Sequence, residues 1–237
     1  MRHRSVVAIR LAFAAAAALA AQAAQAQLYL RADLGYSKGV DAGIRDKNFA
    51  LDGVICGDPG CTAGGELGDV GKSPVFSAGL GWRIAPNIRT DLTVAYRGGY
   101  QLKDSDAASD FKADIKSSNL MLAGYYEAAS GWARPYVGGG VGWAQNKIGA
   151  ITNTGAGFST ESPGGTRSGL AWSLMAGVGI PLGSRLTLDV AYRYIDLGKI
   201  ESKSGDLSCA PVPCPGVTYS GLSGNLRAHE LTAGFRF

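Results

Sequence analysis

After its first two dozen residues this chain has no long hydrophobic run. No later stretch approaches the roughly 20 apolar residues that a membrane-spanning helix needs, so a helical anchor in the body of the protein is excluded. Histidine is nearly absent: there are two, and one is His3. Chemistry that needs clustered histidines, whether metal binding or acid–base catalysis, has little to draw on. Excess charge of either sign is also missing. The whole chain carries 23 Lys and Arg against 19 Asp and Glu, and residues 1–26 hold Arg2, Arg4 and Arg10 but no acid. Without that segment the balance is near neutral, which gives no electrostatic case for a nucleic-acid partner. Only 9 prolines stand beside 35 glycines, a ratio suited to tight turns and crowded strands rather than to a collagen or a linker.

The amino-terminus has its own pattern. Arginines precede an apolar run, Leu11 to Ala21, and Ala24-Gln25-Ala26 then offers small residues where a signal peptidase reads. Residues 1–26 are expected to be a secretory signal peptide, cleaved before Gln27, because the run is too short for a bilayer-spanning helix. No cysteine follows the cleavage site, so a lipid-anchored amino-terminus is not expected. Residues 27–237 fit one domain.

What is present in that domain is alternation. The final stretch, Glu230 to Phe237, sets Leu231, Ala233, Phe235 and Phe237 on one face and Glu230, Thr232, Gly234 and Arg236 on the other. That period of two reads as a strand with one apolar and one polar face. Seven earlier segments repeat it: about Leu28 to Ser37, Ser73 to Ile84, Ile88 to Arg97, Asp114 to Glu127, Arg134 to Gln145, Ser168 to Ile180 and Arg185 to Asp196. Between them, long polar or glycine-rich segments (38–72, 98–113, 146–167 and 197–224) alternate with short turns such as Ala85-Pro86-Asn87. Eight strands joined by alternating long and short connections predict an all-β fold, an eight-stranded antiparallel up-and-down transmembrane β-barrel.

The polar faces decide which side is in. They carry Arg31, Arg83, Arg89, Arg97, Arg193 and Arg236 with Asp33, Asp91, Glu127, Asp189 and Glu230. An arginine facing lipid near the midplane costs roughly 2–4 kcal/mol. Several such terms exceed the whole stability of a domain, about 5–15 kcal/mol. The charged face is therefore expected to line a mostly plugged lumen as a salt-bridged network, and the bulky apolar face to meet lipid. Aromatics gather near strand ends, Tyr36, Tyr96, Trp143 and Tyr194 at one end and Trp82, Tyr126, Phe235 and Phe237 at the other, as two interface girdles. Inward glycines such as Gly79, Gly81, Gly138, Gly140, Gly177 and Gly179 are expected to leave room for arginines from other strands.

Several stretches carry a family resemblance: Tyr29 to Tyr36, Pro135 to Gly142, Tyr192-Arg193-Tyr194 with Asp196-Leu197-Gly198, and terminal Phe235-Arg236-Phe237. Together and in this order they resemble the opacity-type porin family, small eight-stranded outer-membrane barrels similar in architecture to the OmpA transmembrane domain. The resemblance implies a place in the Gram-negative outer membrane, short turns toward the periplasm and long loops outside. The strand ending in Phe235 and Phe237 resembles the assembly signal read by the outer-membrane barrel assembly machinery. Outer-membrane lipid and lipopolysaccharide are the other implied partners.

Chemistry has few footholds. Glu66 to Ser73 is a near match to a phosphate-binding loop but has Glu66 at the first glycine position and leads into Pro74 and a strand. Gly138 to Gly142 lies in a strand and is no dinucleotide fingerprint. No cofactor is expected. His229 stands near the outer end of the last strand without a serine at two-residue spacing on its face. Cys56/Cys61 and Cys209/Cys214 share one spacing. In an exported protein disulfides within each pair are the default, with cross-pairing between the first and fourth loops and a zinc site as rivals. The leading expectation is a non-enzymatic structural or porin-like outer-membrane protein with four long surface-exposed loops. A surface adhesin binding a host or surface ligand through those loops is the alternative, and a lipid A-modifying enzyme the third reading.

Overall fold

A computed structural model describes residues 27–40, 45–46, 70–105, 109–128, 131–155, 157–206, 208–213, 215–216, 218–219 and 221–237. The expected signal peptide, residues 1–26, lies outside the described residues, as do Cys56, Cys61 and Cys214.

Eight long strands carry the fold: β1 Gln27–Gly39, β2 Lys72–Ala85, β3 Ile88–Ser105, β4 Ser109–Glu127, β5 Arg134–Gly155, β6 Gly165–Pro181, β7 Thr187–Glu201 and β8 Leu222–Arg236. Each pairs antiparallel with its sequence neighbour, and β8 pairs with β1, so the sheet closes on itself. Closure leaves the barrel strands without a free edge and satisfies backbone groups between strands, the condition for a sheet to exist in lipid. The register sets the shape. Following cross-strand partners from Gln27 leads through Arg83, Arg89, Tyr125, Gly138, Met175, Arg193 and Glu230 and returns to β1 at Ser37. That stagger along β1 requires strongly tilted strands, about 35–45° in closed barrels.

The alternation read from the sequence sorts side chains as expected through the lower barrel. Leu30, Leu34, Phe76, Leu92, Val94, Leu122, Val137, Leu174 and Leu231 are all exposed on the outside. A water-facing surface of that breadth would be an association patch; as a continuous band on a closed barrel it is a lipid-facing belt. The expected girdle aromatics Tyr36, Tyr96, Trp143, Tyr126, Phe235 and Phe237 are exposed on the same outer surface.

Several strands are longer than their alternation indicated. β3 runs to Ser105 and β4 starts at Ser109, so the segment 98–113 is mainly strand rather than loop. β5 continues to Gly155. It pairs with β6 as far as Ile148, and from Ile151 onward it pairs instead with the short strand Phe158–Ser162, which in turn pairs with Ser208–Ala210. β8 begins at Leu222, inside the segment 197–224 expected to be loop. The cause is visible in the register, which shifts at Arg97/Tyr100, Ala113/Ile115 and Asn225/Arg227. A bulge inserts a residue and breaks the period of two, so a strand that continues past one no longer reads as alternating. The outcome is an open sheet that stands beyond the barrel at the long-connection end.

Candidate functional site in the barrel lumen

Of the eleven charged residues expected in the lumen, ten are buried and Arg83 is half-buried. They form two tiers. In the lower tier Arg31 grips Asp33 with a two-pronged contact, Nη2 to Oδ1 at 2.7 Å and Nε to Oδ2 at 3.0 Å, and also pairs with Asp91. Arg89, fully buried, donates to Asp91 at 2.8 Å and to Glu127 at 3.1 Å. Arg236 pairs with Asp189 at 2.7 Å and donates to Glu127 at 3.2 Å, and Arg83 reaches the other oxygen of Glu127 at 3.3 Å. Four guanidinium groups face four carboxylates. A buried ion costs several kcal/mol unless paired, and this balance is how the interior tolerates eight of them.

Tyrosines complete the tier. Tyr29 and Tyr136 donate their hydroxyls to Asp91 and Asp189. The Arg89 guanidinium lies 3.8 Å from the ring centre of Tyr125 and 4.4 Å from that of Tyr136, and the two rings meet edge to face at 5.5 Å. Delocalised cation on aromatic face is a favourable contact that is stronger when dry. The inward glycines serve these rings more than the arginines: a Cβ at Gly81 would fall 2.2 Å from the Tyr29 ring and one at Gly177 2.5 Å from Tyr136, whereas only Gly179 meets an arginine, Arg236.

The upper tier centres on Glu230. Its Oε1 accepts from Arg97 Nε at 2.5 Å and from Ser37 Oγ at 2.8 Å, while Oε2 accepts from Arg193 Nε at 2.6 Å. Arg97 also donates to Asn119 at 2.7 Å. One carboxylate thus holds two guanidinium groups. Between the tiers a cavity of about 10 Å³, lined by Arg31, Asp33, Tyr125 and Arg193 among others, has room for about one water.

Above Arg97 the interior changes character, which the sequence reading missed. Tyr100, Leu102, Ile115, Ile148, Ile195, Leu197, Ile200, Leu222 and Leu226 are buried together with Ala144, Ala171 and Ala228 in one apolar cluster. This cap seals the long-connection end of the lumen. Its signal was present, since Tyr100, Leu102 and Leu222 are apolar residues in segments otherwise taken for polar loop.

The remaining expected residues fall elsewhere. His229 is on the outside, where its Nδ1 meets Tyr192 Oη at 2.5 Å and its ring contacts Tyr194. Phe235 and Phe237 are outward at the short-turn end, and the Phe237 backbone is hydrogen-bonded in both directions to Leu30 at 3.0 Å. Cys209 is disulfide-bonded; its expected partner Cys214 is outside the described residues. Among the described residues no group of three or more His, Cys, Asp or Glu is placed to hold a metal.

Comparison with known proteins bears on this geometry. The family model described as outer membrane protein beta-barrel domain matches residues 8–237. An uncharacterized protein of Rickettsia conorii is 29% identical over 169 residues, covering 67% of this chain and 70% of that protein. A protein of Rickettsia rickettsii named as a candidate adhesin is 28% identical, covering 67% of this chain and 71% of that protein. Among solved structures, Neisserial surface protein A matches with a TM-score of 0.51 and 16% identity, covering 89% of this chain and 97% of that one, a likeness of fold.

Proposed function

This chain belongs to the outer membrane protein beta-barrel domain family, and from that premise we propose that it is a closed envelope barrel whose work is done by its outer surface rather than by its lumen. It is an outer-membrane protein of the Gram-negative type. The observation that carries the reading is the double seal inside it: a balanced tier of ion pairs at the short-turn end and a dry apolar cap at the other. An eight-stranded barrel has an interior about wide enough for side chains alone, and here they fill it with charge below and hydrocarbon above. A hydrated solute would have to break both layers. Single-channel recording on refolded protein tests this: rare, small events are expected, and stable channels of the size given by wide porins would overturn it.

The partners follow from the placement. Outer-leaflet lipid and lipopolysaccharide meet the belt and the rim above it. The terminal strand, with Phe235 and Phe237 outward, is the segment offered to the barrel assembly machinery.

One observation favours a second reading, a surface adhesin. The extended β3–β4 and β5 hairpins build a projecting sheet, with Phe158–Ser162 and Ser208–Ala210 added at its side. A hydrogen-bonded sheet presents side chains at fixed spacing beyond the membrane, and function in such proteins is commonly placed in what protrudes. The candidate-adhesin name of the Rickettsia rickettsii relative is consistent with this reading. Shortening both hairpins back to the barrel rim and measuring binding to host cells tests it, with loss of binding expected from a barrel that still refolds.

Enzymatic modification of lipid A is the third reading and the weakest. His229 faces outward onto Tyr192, and the inward carboxylates are engaged by guanidinium groups. Unchanged lipid A mass spectra from cells with and without the protein are expected.

A further inference from the structure

Across β4, β5 and β6 three outward rows follow one another up the barrel. The first is Leu120–Trp143–Leu170, paired in register, with exposures of 49%, 58% and 68%. The second is Ser118–Gln145–Ser168, uncharged and hydrogen-bonding. The third is Lys116–Lys147–Thr166. The whole gradient, from hydrocarbon through neutral polar groups to cation, takes four residues of strand, about 13 Å at ~3.3 Å per residue.

The third row places two lysines directly opposite each other, an arrangement that is destabilising by itself. Neither is neutralised from within the described residues. Nearby, Glu201 pairs with Arg167 at 3.3 Å, and Asp114, two residues from Lys116 on the same outward face, is hydrogen-bonded by Gln101 at 3.3 Å. Above the lysines the sheet forks, because β5 leaves β6 at Ile148 and turns to the strand Phe158–Ser162. The fork opens a groove of about 590 Å³ lined by Lys147, Thr166, Lys203 and the backbone of Gly149, Gly164 and Gly165. Lys203 adds a third cation there.

We propose that this face is a binding site for a phosphorylated glycolipid of the outer leaflet. The acyl chains lie along Leu120, Trp143 and Leu170, the sugar hydroxyl and amide groups meet Ser118, Gln145 and Ser168, and a phosphate bridges Lys116 and Lys147 at the mouth of the groove. The bridging anion turns a repulsive pair into an attractive one, and only an amphiphile matches all three rows at once. The inference rests on the outer-membrane placement of the barrel and adds to it the residues that choose the lipid.

The test uses the full barrel, refolded in neutral detergent, with bis-phosphorylated lipid A, dephosphorylated lipid A, inorganic phosphate and a soluble sulfated polysaccharide as separate probes. Refolding is read first, from the mobility of unboiled samples. The variant carrying Lys116→Gln and Lys147→Gln should bind phosphorylated lipid A roughly thirty-fold more weakly than the parent, given what each basic residue contributes near an anionic lipid surface. The dephosphorylated lipid should bind the parent as weakly as the phosphorylated one binds the variant, and the Lys→Arg pair at the same positions should restore affinity. In detergent without lipid A the Gln variant should be at least as heat-resistant as the parent, because the opposed charges are gone. A purely structural role for the lysines would move stability the other way. Equal affinity of parent and Gln variant would overturn the proposal. So would inorganic phosphate or the sulfated polysaccharide binding as tightly as the lipid, which would make the groove a soluble-anion site. A parent chain that never acquires heat-modifiable mobility would instead count against the barrel reading beneath it.

Discussion

Arg97 and Tyr100 both point into the barrel and are both fully buried, although three positions separate them on one strand. In an uninterrupted strand residues at that spacing face opposite sides. The register shift between them supplies the extra residue, and it falls where the lining of the lumen changes. Arg97 belongs to the Glu230 cluster and Tyr100 to the apolar cap, with the Ser37 hydroxyl hydrogen-bonded to both Tyr100 and Glu230. The bulge lets one strand serve a polar interior and an apolar one without turning its outer face away from lipid.

The two layers should act in series. Replacing Arg89 by alanine leaves Asp91, Glu127 and Asp189 short of a cation in a dry space, and breaking a buried pair from one side costs roughly 3–5 kcal/mol. The expected outcome is a lower urea midpoint for the refolded barrel with vesicle flux unchanged, because the cap and the Glu230 tier still close the lumen. Asp189→Ala should behave the same way. Flux should rise only when a cap residue such as Leu197 is made polar in the same chain. Flux through the Arg89→Ala variant alone would show that the cap does not seal.

How much of this was readable in the sequence depends on the period of two. Where the strands are regular, alternation places Arg31, Asp91, Glu127 and Arg236 inward and Leu34, Leu122 and Phe235 outward, and the structure agrees residue by residue. Lipid on one side and buried charge on the other make a one-residue slip prohibitive, so the pattern is strongly written. Above the bulges neither condition holds. Leu102, Ile115 and Leu226 are inward and apolar, while Lys112, Lys116 and Lys147 are outward and polar. That inversion is the pattern of an ordinary water-exposed barrel wall, and it resembles loop when read with the membrane rule. The tyrosine share of the lower tier was hidden for another reason. Which partner Gly81 or Gly177 makes room for depends on cross-strand register, set by residues far apart in the chain.

Gly177 offers a narrow test of that packing. A methyl group there would meet the Tyr136 ring at 2.5 Å and the Val190 carbonyl at 2.6 Å. Tyr136 is buried and its hydroxyl is committed to Asp189, so it cannot swing away freely. Gly177→Ala should destabilise the refolded barrel by roughly 1–3 kcal/mol, the usual range for overpacking. Gly169→Ala, on the same strand with open space around its Cα, should change little. Equal effects at the two positions would refute the close-packing account.

Mass measurements address the ends and the cysteines. Protein purified from outer membranes should begin at Gln27, as the Ala24-Gln25-Ala26 site directs, and its intact mass will show this or a retained leader. Non-reducing peptide maps should join Cys209 to Cys214. A Cys209 peptide linked to Cys56 or Cys61 would instead tie the first and fourth long connections, which flank the closure between β1 and β8.

Glu230 is the most demanding position in the lumen, because among the described residues the upper tier has no second anion. Its two oxygens accept from Arg97, Arg193 and Ser37, and the side chain is fully shielded from solvent. Glu230→Gln keeps the shape but removes the charge and replaces an acceptor with a donor. Two guanidinium groups are then left beneath an apolar cap with no counter-ion, whereas in the lower tier the loss of any one acid leaves three others near the arginines. The expected result is a loss of roughly 3–5 kcal/mol, read from unfolding in urea. It should exceed the loss from Asp33→Asn, whose partner Arg31 keeps Asp91. A double substitution that also removes a cation, Glu230→Gln with Arg97→Met, should recover part of the loss, since an uncharged pair of similar volume satisfies the same space. If the double variant is less stable than Glu230→Gln alone, the cost lies in packing around Arg97 rather than in its unpaired charge.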